Sequence, residues 1–184
     1  MIRTRKELKQ YIYADNKTFL DSSVMFKIEA MCCKYPNYEI MKFKKYLRYA
    51  EYYFNTIDKS KFRILKAYYY ERKKNKLGYK LGIEIDINCF EKGLVIHHGG
   101  GIVVNPSVRC GENCQLHGGN CIGNNGKTDK NPVIGKNVDI GYGACIIGDI
   151  HIADNIKVGC NAVVIESVDE KNATLVGVPA RKTR

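Results

Sequence analysis

The chain has 184 residues, 45% of them apolar, which is enough to bury a core and excludes a disordered tail. Its net charge of +11 is uneven: residues 1–80 hold 20 of the 30 Lys and Arg and 8 of the 19 Asp and Glu, or +12, leaving −1 for residues 81–184. No apolar run approaches the ~18 residues of a membrane span. No apolar leader follows Met1, and the eight cysteines contain no Cys-x-x-Cys pair, so the expectation is a soluble, cytoplasmic protein with reduced thiols.

Helical periodicity governs the first part. Thr4 opens a segment over residues 5–14, with Leu8, Tyr11 and Ile12 at helical spacing. Pro36 interrupts, after which Ile40, Phe43, Leu47, Ala50 and Phe54 follow the three-four rhythm of an amphipathic helix. Asp58 reads as the cap of another over residues 59–74, with Phe62, Ile64, Leu65, Tyr68 and Tyr69 available for packing. Twelve of the 13 tyrosines precede residue 80, interleaved with Lys and Arg as in Lys44-Lys45-Tyr46-Leu47-Arg48-Tyr49. So basic a surface anticipates an anionic neighbour, although a plain solvated face stays open beside it. No RNA-binding signature accompanies it, so nucleic acid is not expected. A peripheral contact with a membrane or a lipid-linked glycan through residues 1–79 is.

The helical rhythm stops within residues 78–82, dividing the chain into residues 1–79 and 80–184. From Val133 onward a period of six takes over. Val138, Ala144, Ile150, Ile156, Ala162 and Val168 form one row, and Ile134, Ile140, Ile146, Ile152, Val158 and Val164 another. Such hexads describe short strands joined by corners, coil stacked on coil. Extended backward, the rows give Ile96, Ile102, Val108 and Cys114, and beside them His98, Val104, Cys110, Leu116 and Ile122. His98 thus takes a slot normally held by a wall residue, and Gly99, Gly100 and Gly101 after it admit a ligand close to the backbone. With 18 residues per coil, His117 falls near the same corner as His98, about 4.8 Å up the stack. Residues 123–132 break the rhythm as a polar insertion.

The hexads, the histidine-glycine break, the insertion and the ending Gly177-Val178-Pro179-Ala180-Arg181 together resemble the hexapeptide-repeat acyltransferases, specifically their serine-acetyltransferase-like group, over residues 80–184. The resemblance implies an α+β fold: an N-terminal α-helical segment, then a left-handed parallel β-helix of about five coils with one extended polar loop. It further implies a homotrimer, active sites at the clefts between prisms, acetyl-CoA as co-substrate, and no metal. By position, His98 matches the histidine of the family's Asp-His-x-x-Gly motif, the general base. Glu84, in Gly82-Ile83-Glu84-Ile85, matches the aspartate of a Gly-x-Asp-Ile segment, with one residue missing between the two motifs and Asp86 competing for the role. Gly143, Ala144, Lys157, Gly159, Asn161, Ala162, Pro179 and Arg181 match places that contact coenzyme A.

Two departures concern the acceptor. His97 replaces an aspartate suited to the ammonium group of serine, and Lys130-Asn131-Pro132 replaces an Arg-His-Pro suited to its carboxylate. With His117 in Gln115-Leu116-His117-Gly118-Gly119, the chain looks more like the branch associated with capsular and surface polysaccharides. The acceptor is then a small molecule or glycan offering a sugar hydroxyl; serine O-acetylation is the alternative. His98 would remove the hydroxyl proton, with Glu84 or Asp86 orienting its ring. Amides near residues 99–101 would hold the oxyanion, and His117 the acceptor or the developing charge. Three further readings stay open: an acetyl-cysteine at Cys89 or Cys110, a γ-carbonic-anhydrase-like zinc lyase using His97, His98 and His117, and a non-catalytic scaffold.

Overall fold

A computed structural model describes residues 1–57 and 61–183. Four helices lead. Helix α1 (Arg5–Leu20) starts in a capping box between Thr4 and Glu7 and runs beyond residue 14 across a kink at Asn16. Helix α2 (Val24–Cys32), capped by Ser23, has no counterpart in the sequence reading. In α3 (Pro36–Asn55) the proline begins the helix rather than merely interrupting the chain, since its missing N–H lies among groups unpaired in any first turn. Helix α4 (Lys61–Leu81) continues through Gly78, where a side chain would press on the Phe43 ring at 3.1 Å. The expected cap Asp58 and start at Lys59 lie outside the described residues.

Fourteen short strands follow among the described residues: β1 Ile83–Glu84, β2 Val95–Ile96, β3 Ile102–Val104, β4 Arg109–Cys110, β5 Gln115–Leu116, β6 Cys121–Gly123, β7 Val133–Ile134, β8 Asp139–Ile140, β9 Cys145–Ile147, β10 His151–Ile152, β11 Lys157–Val158, β12 Val163–Val164, β13 Thr174–Gly177 and β14 Ala180–Lys182. The chain visits three parallel sheets in cyclic order, which makes a three-sided β-helix. The first sheet runs β1-β3-β6-β9-β12, the second β4-β7-β10, and the third β2-β5-β8-β11-β13. The C-terminus folds back as β14, antiparallel to β13. Both six-spaced rows from Val133 point inward, Ile140, Ile146, Ile152, Ile156 and Ala162 being wholly buried. No strand occupies residues 124–132.

The outward faces differ. On the first sheet Glu84, Val103, Cys121, Cys145 and Val163 stand in register, with Ile147 and Ile165 beside them, so the face is apolar except at its Glu84 end. The third sheet shows Val95, Gln115, Asp139, Lys157 and Thr174.

The first coil has no strand before it, and its exposed edge would leave backbone groups unpaired. Buried charges from the helices satisfy them. Arg48 donates to the Phe90 and Glu91 carbonyls at 2.8 and 2.9 Å, and Asp15 accepts from the Gly93 and Leu94 amides at 2.7 and 2.9 Å. Glu51 accepts from Asn88 N–H at 2.9 Å, while Lys44 and Lys74 donate to the Leu94 and Ile85 carbonyls at 3.3 and 3.1 Å. Arg48 binds Asp15 at 2.6 Å and Glu51 at 2.9 Å, so the charges also neutralise one another. Burial pushes the Lys44 ammonium down to about 8. Removing one partner of such a pair typically costs 3–5 kcal/mol. Part of the basic first half therefore closes the end of the β-helix instead of facing a partner.

Candidate functional site

The site lies at the corner leading from the third sheet to the first. From Val95 to Val103 the chain takes eight residues, whereas Gln115 to Cys121, Asp139 to Cys145 and Lys157 to Val163 each take six. Two residues are thus inserted within His97-His98-Gly99-Gly100-Gly101, and the corner bulges outward.

This insertion corrects the register read from the sequence. Ile96, not His98, pairs with Leu116 and fills the wall, while His98 is exposed on the bulge. The polar residue in a wall position is Asn120, wholly buried and absent from the sequence reading. It accepts from the Gly118 amide at 3.0 Å and donates to the Gly141 carbonyl at 2.8 Å, tying the corners of two successive coils together. Its signal was available: residue 120 continues the six-spaced row of Ile102, Val108 and Cys114.

The same shift changes the histidine pair. His97, not His98, stacks on His117, with ring centroids 4.2 Å apart and planes inclined by 23°. Nε2 of His117 bonds to Asp139 Oδ1 at 2.8 Å, and Nε2 of His97 to Gln115 Oε1 at 3.1 Å. His117 is therefore a tethered ring beside the bulge. Tyr142 lies over the corner: a Cβ on Gly118 would sit 3.0 Å from its ring and 3.4 Å from the His98 carbonyl.

Glu84 lines a cavity of about 620 Å³ between α4 and the first sheet, together with Glu71, Lys74, Asp86 and Gly101. Asp86 is already engaged, at 3.6 Å from Lys74 and accepting from the Ile87 amide at 2.7 Å. No hydrogen bond joins His98 to Glu84 or Asp86 among the described residues. Of the glycine amides, Gly100 donates to the Leu81 carbonyl at 2.7 Å and so drops out as an oxyanion donor.

The coenzyme-matching residues divide into four groups. Gly143 and Asn161 stack on the site corner, the Asn161 amide donating to the Tyr142 carbonyl at 2.8 Å. Lys157 is exposed on the third sheet, and Gly159 is closed in by Val176. Pro179 and Arg181 lie on the β13–β14 hairpin, where Arg181 meets Glu166 at 3.2 Å. Ala144 and Ala162 are wholly buried and donate to the Gly141 and Gly159 carbonyls, so both are wall residues with no side chain to offer a cofactor.

Cys89 and Cys110 are buried, and burial pushes the Cys89 thiol up to about 11 and raises that of Cys110, which makes both poor nucleophiles at neutral pH. No three His, Cys, Asp or Glu side chains converge on a metal-sized point among the described residues. No helix among them is long and apolar enough to cross a membrane.

No protein-family model matches the chain. It is 39% identical over 101 residues to serine acetyltransferase of Staphylococcus aureus (strain Mu50), a match covering 53% of this chain and 47% of that protein. The chain spans about half or less of the length of the curated relatives it matches. Soybean serine acetyltransferase complexed with serine superposes with a TM-score of 0.75 at 25% identity, covering 97% of this chain and 70% of the other. Serine acetyltransferase from Brucella abortus strain S19 in complex with coenzyme A gives 0.67 at 26%, covering 96% and 66%. In fold along nearly its whole length, and in sequence over about half of it, the chain is similar to serine acetyltransferases.

Proposed function

We propose that the chain is an acetyl-CoA-dependent O-acetyltransferase, and the observation that carries this is the two-residue bulge presenting His98 at a glycine corner of a β-helix similar to serine acetyltransferases. The prism reads as left-handed with five coils, and residues 124–132 as its polar loop. His98 takes the proton of an acceptor hydroxyl while that oxygen attacks the thioester carbon. The carbon–sulfur bond then breaks, and the coenzyme leaves as a thiol once the proton is returned. Glu84 suits the orienting role better than Asp86, which Lys74 already holds. Gly143, Lys157, Gly159, Asn161, Pro179 and Arg181 border the coenzyme, with Arg181 exchanging Glu166 for a phosphate.

A homotrimer suits the outward faces. Packing the apolar first sheets around a threefold axis buries Val103, Ile147 and Ile165 and leaves Glu84 and the His98 bulge at the cleft between prisms.

L-serine is the acceptor favoured by the relatives, which are serine acetyltransferases, one of them complexed with serine. One observation favours a second reading, a sugar hydroxyl. The residue before His98 is an imidazole stacked on His117 and bonded to Gln115, where an ammonium group calls for a carboxylate. Thiol release from acetyl-CoA, measured with L-serine and with a panel of nucleotide sugars and oligosaccharides, tests both. The expected result is acceptor-dependent release that falls about 10²- to 10⁴-fold in His98→Ala. Release with serine selects the first reading, release only with a glycan the second, and release indifferent to His98 overturns both.

A further inference from the structure

Helix α4 turns a face outward that neither the core nor the site uses. Phe62, Leu65, Tyr68 and Tyr69 are 63%, 69%, 63% and 52% exposed. Arg72, Lys73 and Lys76 continue the same face, also exposed. The spacing Phe62, Leu65, Tyr69, Arg72, Lys76 follows the helical three-four rhythm, so these side chains share one stripe about 21 Å long. Glu71, the one acidic residue of α4, is turned away, bound to the buried Lys74 at 2.9 Å and lining the cavity that holds Glu84. Cations also lie against the rings: Lys66 sits 4.3 Å from the Phe62 centroid and Lys73 5.5 Å from that of Tyr69.

We infer that this face of α4 docks the protein on an anionic lipid bilayer. Phe62 and Leu65 enter the boundary of the acyl region, Tyr68 and Tyr69 sit at headgroup depth, and Arg72, Lys73 and Lys76 meet lipid phosphates. Charge complementarity selects this occupant. A second copy would bring the same three cations against these with no carboxylate of α4 between them. A soluble polyanion satisfies the cations but offers the aliphatic Leu65 nothing apolar to enter. A bilayer supplies both an anionic surface and an apolar interior, the two signals that stable peripheral anchoring needs. The inference does not rest on the acyl-transfer reading.

The test is co-sedimentation of the full chain with vesicles of phosphatidylglycerol and phosphatidylcholine in equal parts, against phosphatidylcholine alone, at about 0.1 M salt, where charges are screened beyond ~10 Å. The expected result is binding to the mixed vesicles only. It should fall on the order of 30-fold in Arg72→Gln/Lys76→Gln, about tenfold in Leu65→Ser, and stay in Arg72→Lys/Lys76→Arg, with circular dichroism spectra unchanged throughout. Absence of binding, or equal binding to phosphatidylcholine alone, overturns the inference. So does binding to poly(U) that Leu65→Ser leaves intact, which makes the face one for nucleic acid. Self-association in sedimentation equilibrium that Leu65→Ser abolishes also overturns it, in favour of a second copy.

Discussion

Two corners of the prism share one backbone conformation and differ in what they put there. Between the second and third sheets, Gly93, Asn113, Asn137, Asn155 and Asn172 all have positive φ, from +54° to +87°. Between the third and first sheets, Gly101, Gly119, Gly143 and Asn161 do the same, as does Gly82 at the matching place between α4 and β1, from +56° to +72°. Asparagine tolerates this left-handed region, so the backbone alone does not require glycine. Where asparagine stands, its side chains link coil to coil: Asn113 donates to Asn137 at 3.0 Å, Asn137 to Asn155 at 2.9 Å and Asn155 to Asn172 at 3.0 Å. At Gly82 and Gly119 space adds a reason for glycine. A Cβ on Gly82 would lie 3.0 Å from Gly100 Cα and one on Gly119 3.3 Å from the Gly143 nitrogen. One corner is a ladder that holds coils together; the other is stripped so that backbone, Tyr142 and the histidine bulge can crowd.

The sharpest break of this contrast is chemical. His98→Ala should lower acetyl transfer about 10²- to 10⁴-fold. Asn113→Ala, on the ladder corner one coil further on, should leave kcat unchanged while lowering the melting temperature. Equal losses of activity would mean that the stripped corner is no more than a variant of the ladder.

Stability separates the corners next. Gly143→Ala carries the left-handed penalty of roughly 1–2 kcal/mol and also brings a methyl group against the Asn161 side chain. Gly100→Ala has the same kind of strain at φ +93° but nothing within 4 Å of the added carbon. Thermal melting should therefore show a larger drop for Gly143→Ala, by a margin of a few degrees. Equal drops would reduce the glycine corner to a matter of φ alone. On the ladder, Asn137→Gly keeps the conformation but removes one donated and one accepted bond. At an exposed site this should cost about 1 kcal/mol.

How far the sequence carried depends on where its period held. After Val133 the hexads are unbroken, and both apolar rows predict the core residue by residue. The helix over Pro36–Asn55 was legible for a similar reason, because Ile40, Phe43 and Leu47 are the buried stripe of an amphipathic helix. Before Val104 the period fails. Two residues added at the bulge shift everything upstream, so an unbroken period of six sets His98 in the wall and beside His117, the place that His97 takes in the fold. Helix α2 was silent because it is apolar on both sides: Phe26 and Ala30 pack inward while Val24, Met25, Ile28 and Met31 stay exposed, leaving no moment to read. Lys44, Arg48 and Lys74 were invisible for the opposite reason. In a stretch of +12, nothing local distinguishes a cation that will close a sheet edge from one that will face water.

Asn161 is where the two corners meet, an asparagine in the stripped column, and its substitution by glycine gives the smallest expected effect. It belongs to no side-chain ladder like that of Asn113, Asn137 and Asn155, and glycine accepts its φ of +56°. Asn161→Gly should thus change stability by no more than about 0.5 kcal/mol, well below Asn137→Gly, although both delete the same side chain from the same conformation. If Asn161 is retained for the coenzyme, the change should show in binding alone: KM for acetyl-CoA rises several-fold while kcat holds, because the amide meets the bound coenzyme and not the reacting atoms. A loss of stability equal to that of Asn137→Gly, with KM unmoved, would place Asn161 with the ladder and leave the coenzyme to the glycines around it.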